Sequence, residues 1–195
     1  MKFYYSLYFR NIRKLLKSRG KSFAVLGHFH TPHKEKDFTV IGTFHEGNVY
    51  EDDQVIAVSD VHLGIFDYST EQLEKLKAIL SRTDKKVIIM GDFFDLFYMK
   101  PSELQIKYGN LLELVKKRER ESGLVYLQGN HDSSITAALD IPSVPEYILG
   151  DQLFFHGHIC DPFYILFPLN VFQYIRTKLG YRLHWLRPLY LKFHS

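Results

Sequence analysis

The stretch Gln54-Val55-Ile56-Ala57-Val58-Ser59-Asp60-Val61-His62 is a short apolar, β-branched run that ends on a serine, a carboxylate and an imidazole. A run with no polar alternation suits a strand covered on both faces, and its polar end suits a loop at the strand's tip. The same grammar recurs downstream. Lys86 to Met90 runs into Gly91-Asp92-Phe93-Phe94-Asp95, Leu124 to Gln128 into Gly129-Asn130-His131-Asp132, and Gln152 to Phe155 into His156-Gly157-His158. Phe23 to Leu26 and Phe38 to Phe44 are also strand-like. Helical spacing appears in Thr70 to Ser81, with Leu73, Leu76, Ile79 and Leu80, and in Ser102 to Glu121 behind Pro101. Strands alternating with helices predict an α/β layered fold with a largely buried sheet.

In such a sheet, ligands bind in the crevice beyond the carboxyl ends of the strands, so four polar tips in this order predict a convergent cluster of Asp, His and Asn. Carboxylate, imidazole and amide oxygen together suit divalent Mn, Fe, Co, Ni or Zn better than Ca, which prefers an all-oxygen cage. The glycines allow tight turns and close approach of the backbone.

Composition narrows the classes. With 195 residues, 46% hydrophobic and 24% charged, the chain is expected to fold as one domain and is not a disordered or low-complexity sequence. Cys160 stands alone, which excludes an intrachain disulfide and favours a reducing compartment, the cytoplasm. No signal peptide is read in residues 1–9, and Ile159 to Ile175 is too interrupted by Asp161, Pro162, Pro168, Asn170 and Gln173 for a membrane span. The net charge is only +3, but residues 1–34 hold eight Lys or Arg and residues 162–195 five, with no acid in either, so the middle carries all 22 acids. Basic ends of this kind suit nucleic acid, anionic lipid or a phosphorylated substrate, or else a solvated helix face. Tyr5, Tyr8, Phe9, Ile12, Leu15 and Leu16 make one helical stripe, and Val171, Phe172, Ile175 and Leu179 another. Each stripe either packs on the domain or meets lipid peripherally.

Taken together, Asp60-x-His62, Gly91-Asp92-x-x-Asp95, Gly129-Asn130-His131-Asp132 and His156 resemble the calcineurin-like metallophosphoesterase superfamily, whose pattern closes on Gly-His-x-His. No such motif follows His158; it stands instead as Gly27-His28-Phe29-His30-Thr31-Pro32, behind a strand-like run. The chain is therefore read as a circular permutant, which surface termini tolerate. The expected fold is a metallophosphoesterase-type β-sandwich flanked by helices, one domain over 1–195. Its core would be 23–161, and the arms 1–22 and 162–195 would form a basic helical cap.

The resemblance implies two divalent ions, Mn foremost. Asp60, His62, Asp92 and His30 would hold one, and Asp92, Asn130, His156 and His28 the other. It implies hydrolysis of a phosphomonoester, phosphodiester or pyrophosphate bond through a metal-bridging hydroxide, with His131 assisting the leaving group and Asp95, or alternatively Asp132, orienting His131. His158 is left to substrate contact, support of the second metal, or a structural role. Asp161-Pro162-Phe163-Tyr164 and the aromatic, basic segment after it look like UDP-diacylglucosamine pyrophosphatases, which implies a lipid-linked nucleotide. Those relatives carry Arg at position 131 and often Asp at 158, so a small nucleotide or general phosphodiester stands beside it. A nuclease on DNA or RNA and a non-catalytic scaffold are the competing classes.

Overall fold

The protein is described here from a computed structural model, over residues 2–27, 33–34, 39–42, 49–162 and 165. The order is α1 (Lys2–Arg19), β1 (Phe23–Leu26), β2 (His33–Lys34), β3 (Thr39–Gly42), β4 (Val49–Glu51), β5 (Val55–Val58), α2 (Thr70–Leu80), β6 (Lys86–Ile89), α3 (Pro101–Arg120), β7 (Leu124–Tyr126), α4 (Ile135–Leu139), β8 (Glu146–Leu149) and β9 (Gln152–Phe155). A single 3-10 turn, Gly157–Cys160, follows.

Among the described residues the strands form two sheets, ordered β4-β5-β6-β7 and β2-β3-β1-β9-β8. In the first, β5, β6 and β7 run parallel, so their carboxyl ends lie along one edge. In the second, β1 lies between β3 and β9 and is parallel to both.

Side-chain alternation builds the layers. Ile56, Val58, Val87 and Ile89 point to the face covered by α2 and α3, where they meet Leu76, Leu80, Leu112 and Val115. Their neighbours Val55, Ala57, Ile88 and Met90 point the other way and meet Val25 and Phe154, which fills the space between the sheets. Ala24, Leu26, Leu153 and Phe155 on the outer face of the second sheet pack against Tyr8, Ile12 and Leu16 of α1. The result is a helix, sheet, sheet, helix stack, and every strand residue of β5 is buried, as its uninterrupted apolar run demands.

The N-terminal stripe thus packs on the sheet through Tyr8, Ile12 and Leu16, leaving Arg10, Arg13, Lys14 and Lys17 exposed. The second stripe, Val171 to Leu179, lies outside the described residues, as do His28 and His30. The helices begin where local chemistry directs. Ser69 and Gln72 form a capping box at α2, and Pro101 occupies the first turn of α3.

Candidate functional site

The loops after β5 and β6 lie side by side and are zipped together by backbone hydrogen bonds. His62 N donates to Asp92 O at 2.8 Å, Leu63 N to Phe93 O at 2.9 Å, and Asp95 N to Leu63 O at 2.8 Å. Asp60, His62 and Asp92 all take the left-handed conformation, with φ of 53°, 51° and 53°. Three non-glycine residues with positive φ in adjacent loops cost conformational energy, which neighbouring contacts must hold in place. Their side chains turn inward as a result. Gly129 lies so close to Asp92 that a Cβ there would stand 2.1 Å from Oδ1, so only glycine lets the two loops meet.

Asp92, 2% exposed, is the hub. Its Oδ1 accepts from His131 N at 2.6 Å, and its Oδ2 faces Nε2 of His62 at 3.8 Å and Nε2 of His156 at 3.7 Å. Asp60 Oδ1 faces the same two nitrogens at 3.9 and 3.5 Å. These separations are too long for hydrogen bonds. They approach the spacing of donors around one cation, whose ligand atoms bound about 2.1 Å from it stand roughly 3 to 3.4 Å apart. Two sets of ligand atoms converge within 4.8 Å: Asp60, Asp92 and His156, and His62, Asp92 and His131, with Asp92 common to both. Asp60, His62 and Asp92, expected from sequence to share one ion, lie together, and Asp60 stands near both His62 and His156. Asn130 is buried beside them in the β7 loop. The donors are carboxylates and imidazoles, a set that fits a divalent transition ion. Cys160 sits in the α1 core, where burial, with Glu146 nearby, pushes its thiol up to about 12.

Asp95 is wholly buried, and Oδ2 meets both His131 Nδ1, at 2.6 Å, and His62 Nδ1, at 3.0 Å. Its Oδ1 accepts from Phe97 N and Tyr98 N, so the carboxylate is fixed from both sides. Burial disfavours its charge, but the two imidazoles outweigh that and hold it well below the usual carboxylate range. Asp132 takes a different place. Its oxygens accept from Phe93 N, Gly129 N and Tyr126 Oη, which ties the β6 and β7 loops together, and burial with the nearby Asp92 charge pushes its pKa up to about 6.

The field of these carboxylates acts on the rings. Burial works against a charged His62, yet the Asp95 hydrogen bond and the charges of Asp92, Asp95 and Asp60 raise it. His156 is likewise opposed by burial but is lifted to about 9, mainly by Asp92 and Asp60. A pocket that draws protons onto buried imidazoles is one built to hold positive charge.

Residues 54–194 match the family model for calcineurin-like phosphoesterases. The chain belongs to that family. This phosphoesterase is therefore a metal-dependent hydrolase of phosphate esters, and the Asp/His cluster is a group of residues that could hold a metal ion. No curated protein and no solved structure matches it. Among the described residues no helix of the phosphoesterase is long and apolar enough to cross a membrane.

Three features of the site were not assigned from sequence. Ser59 Oγ contacts Gly27 O at 2.7 Å and also Asp60 Oδ2, linking the tip of β1 to the tip of β5. Tyr126 anchors Asp132 at 2.7 Å. Phe97 and Tyr98 flank His131, with ring centroids 5.8 and 6.5 Å away. A serine, a strand tyrosine and two loop aromatics have no local signature of such roles.

Proposed function

We propose that this phosphoesterase holds two divalent cations, Mn²⁺ foremost with Fe, Co, Ni and Zn as alternatives, and cleaves a phosphomonoester, phosphodiester or pyrophosphate bond of a small phosphorylated substrate. A nucleotide, free or lipid-linked, and a general phosphodiester are the candidate classes. The observation that carries this reading is the convergence on Asp92 of Asp60 and His156 on one side and of His62, with Nε2 3.8 Å from Asp92 Oδ2, on the other. A pair of cations, when bound, neutralises phosphate charge and makes water acidic enough to attack phosphorus near neutral pH.

Asp60, His62, Asp92, Asn130 and His156 are the proposed ligands among the described residues, joined by His28 and His30. Two observations support that last step and with it a circular permutation. Strand β1 runs parallel between β3 and β9, and its tip reaches the site, where Gly27 O accepts from Ser59 Oγ. A Cβ at Gly27 would stand 2.4 Å from Ser59 Oγ and 2.7 Å from Met90 O, so the position that opens Gly27-His28-Phe29-His30 demands glycine. His131 serves the phosphate. With Nδ1 engaged by Asp95, its other nitrogen is left to stabilise charge and to protonate the departing oxygen. Asp132 keeps the loops in register. The basic arms would cap the site, and a lone, buried cysteine suits the cytoplasm.

The test is turnover of bis-p-nitrophenyl phosphate and p-nitrophenyl phosphate with added Mn²⁺, followed by a panel holding nucleotides, a UDP-linked lipid and single-stranded DNA. EDTA should abolish activity, and Asp92→Ala should lose both metal and turnover. Protein that takes up no metal and turns over nothing would support a scaffold instead, and a preference for DNA would support a nuclease.

A further inference from the structure

The rings of His156 and His158 meet at Nδ1, 2.7 Å apart, with the residues 0% and 3% exposed. At that distance one nitrogen donates a proton and the other accepts it. Nε2 of His156 faces Asp60 and Asp92, at 3.5 and 3.7 Å. A ring that offers its Nε2 lone pair to a cation carries its proton on Nδ1, and His158 Nδ1 is then the acceptor. From this we infer that His158 is a positioning residue: by accepting the Nδ1 proton of His156, it fixes the tautomer and plane of that ring so that Nε2 faces the cation site of Asp60 and Asp92. This rests on the metal-binding reading above.

The choice of acceptor has a physical reason. Carboxylates are the usual partners of ligand histidines, and they add negative charge. Asp92 and Asp132 already lie fully buried around His156, each contributing to the rise in its pKa together with Asp60. A further buried carboxylate would need its own compensation, whereas a neutral imidazole accepts the proton without adding charge. His158 is also held from behind. It lies in the turn Gly157–Cys160, and the Cys160 carbonyl accepts from Asn11 Nδ2 of α1 at 3.0 Å. Cys160 packs with Ile12 and Leu16, so the N-terminal helix braces the turn that carries the ring.

The experiment is titration calorimetry of Mn²⁺ into the chelator-stripped full chain and its His158→Leu and His158→Asn variants, with circular dichroism reporting the fold. Leucine fills the space without an acceptor, while the asparagine Oδ1 stands near the place of Nδ1 and accepts. The leucine variant should bind Mn²⁺ about 10- to 100-fold more weakly and the asparagine variant within about threefold of the parent. A leucine variant that binds as tightly as the parent would overturn the role of His158. In the parent chain loaded with Zn²⁺, long-range ¹H–¹⁵N NMR should show His156 protonated at Nδ1 and His158 bare at Nδ1. A proton on His158 Nδ1 instead would overturn it even if the leucine variant does not fold. A parent chain that takes up neither Mn²⁺ nor Zn²⁺ would strike the metal-binding reading itself.

Discussion

The Asp95 carboxylate lies 2.6 Å from Nδ1 of His131, and it is wholly buried while the histidine side chain is 15% exposed. The same oxygen meets His62 Nδ1 at 3.0 Å, so one buried charge orients two rings. Asparagine at position 95 is uncharged and has one acceptor oxygen, so its amide NH2 must face either the two rings or the Phe97 and Tyr98 N–H groups. Asp95→Asn should therefore fold but lose about 10- to 100-fold in both Mn²⁺ affinity and turnover. Equal activity in parent and variant, with metal saturating in each, would remove the carboxylate from the account.

Gly129 tests the packing that makes the site. Its missing Cβ would overlap Asp92 Oδ1 at 2.1 Å and Asp92 N at 2.3 Å; the second is backbone, and the first is a buried oxygen held by His131 N. Gly129→Ala should push the β6 and β7 loops apart, with a loss of about 1 to 3 kcal/mol by urea denaturation and a fall in bound metal. A variant as stable and as metal-rich as the parent would show that the loops separate freely.

Acidity offers a third test, on protein stripped of cations. A histidine whose folded pKa is raised adds stability that is complete below its ordinary value of 6.5 and is lost as pH climbs through the folded value, about 9 for His156. Asp132, raised to about 6, acts in the same direction at lower pH, since its ionised form is the one the fold disfavours. The stripped protein should lose thermal stability between pH 6.5 and 9, where His156 gives up its proton. A cation takes the place of that proton, so Mn²⁺ should bind more tightly as pH rises over the same window and should restore the melting temperature. Calorimetry at several pH values checks both. A stripped melting temperature that climbs from pH 6.5 to 9 would contradict the assignment.

Much of the fold was legible because apolar runs and polar tips are local. The runs at Val55, Lys86, Leu124 and Gln152 became β5, β6, β7 and β9, and the helices at Thr70 and Pro101 start within one residue of their expected positions. The elements that were missed are short or weakly patterned. α4 spans five residues, fewer than two turns, and β4 three. β8 is only partly buried, so Glu146-Tyr147-Ile148-Leu149 lacks a clear alternation. A signal for it was present: Gly150-Asp151 joins Leu149 to Gln152 as a two-residue hairpin turn, with Gly150 at φ 55°. The site was legible as a set of donors but not as a geometry. Which rings share Asp95, and that Asp60 faces both His62 and His156, depend on how loops from two sheets meet, which no local spacing encodes.

Diffraction from Mn²⁺-soaked crystals, with anomalous scattering recorded at the manganese edge, bears most directly on the central claim. The expected result is two peaks about 3.5 to 4 Å apart, with the Asp92 carboxylate between them and the rings of His28 and His30 among their ligands. No peak beside Asp92, or peaks there with both of those rings far away, would contradict the account.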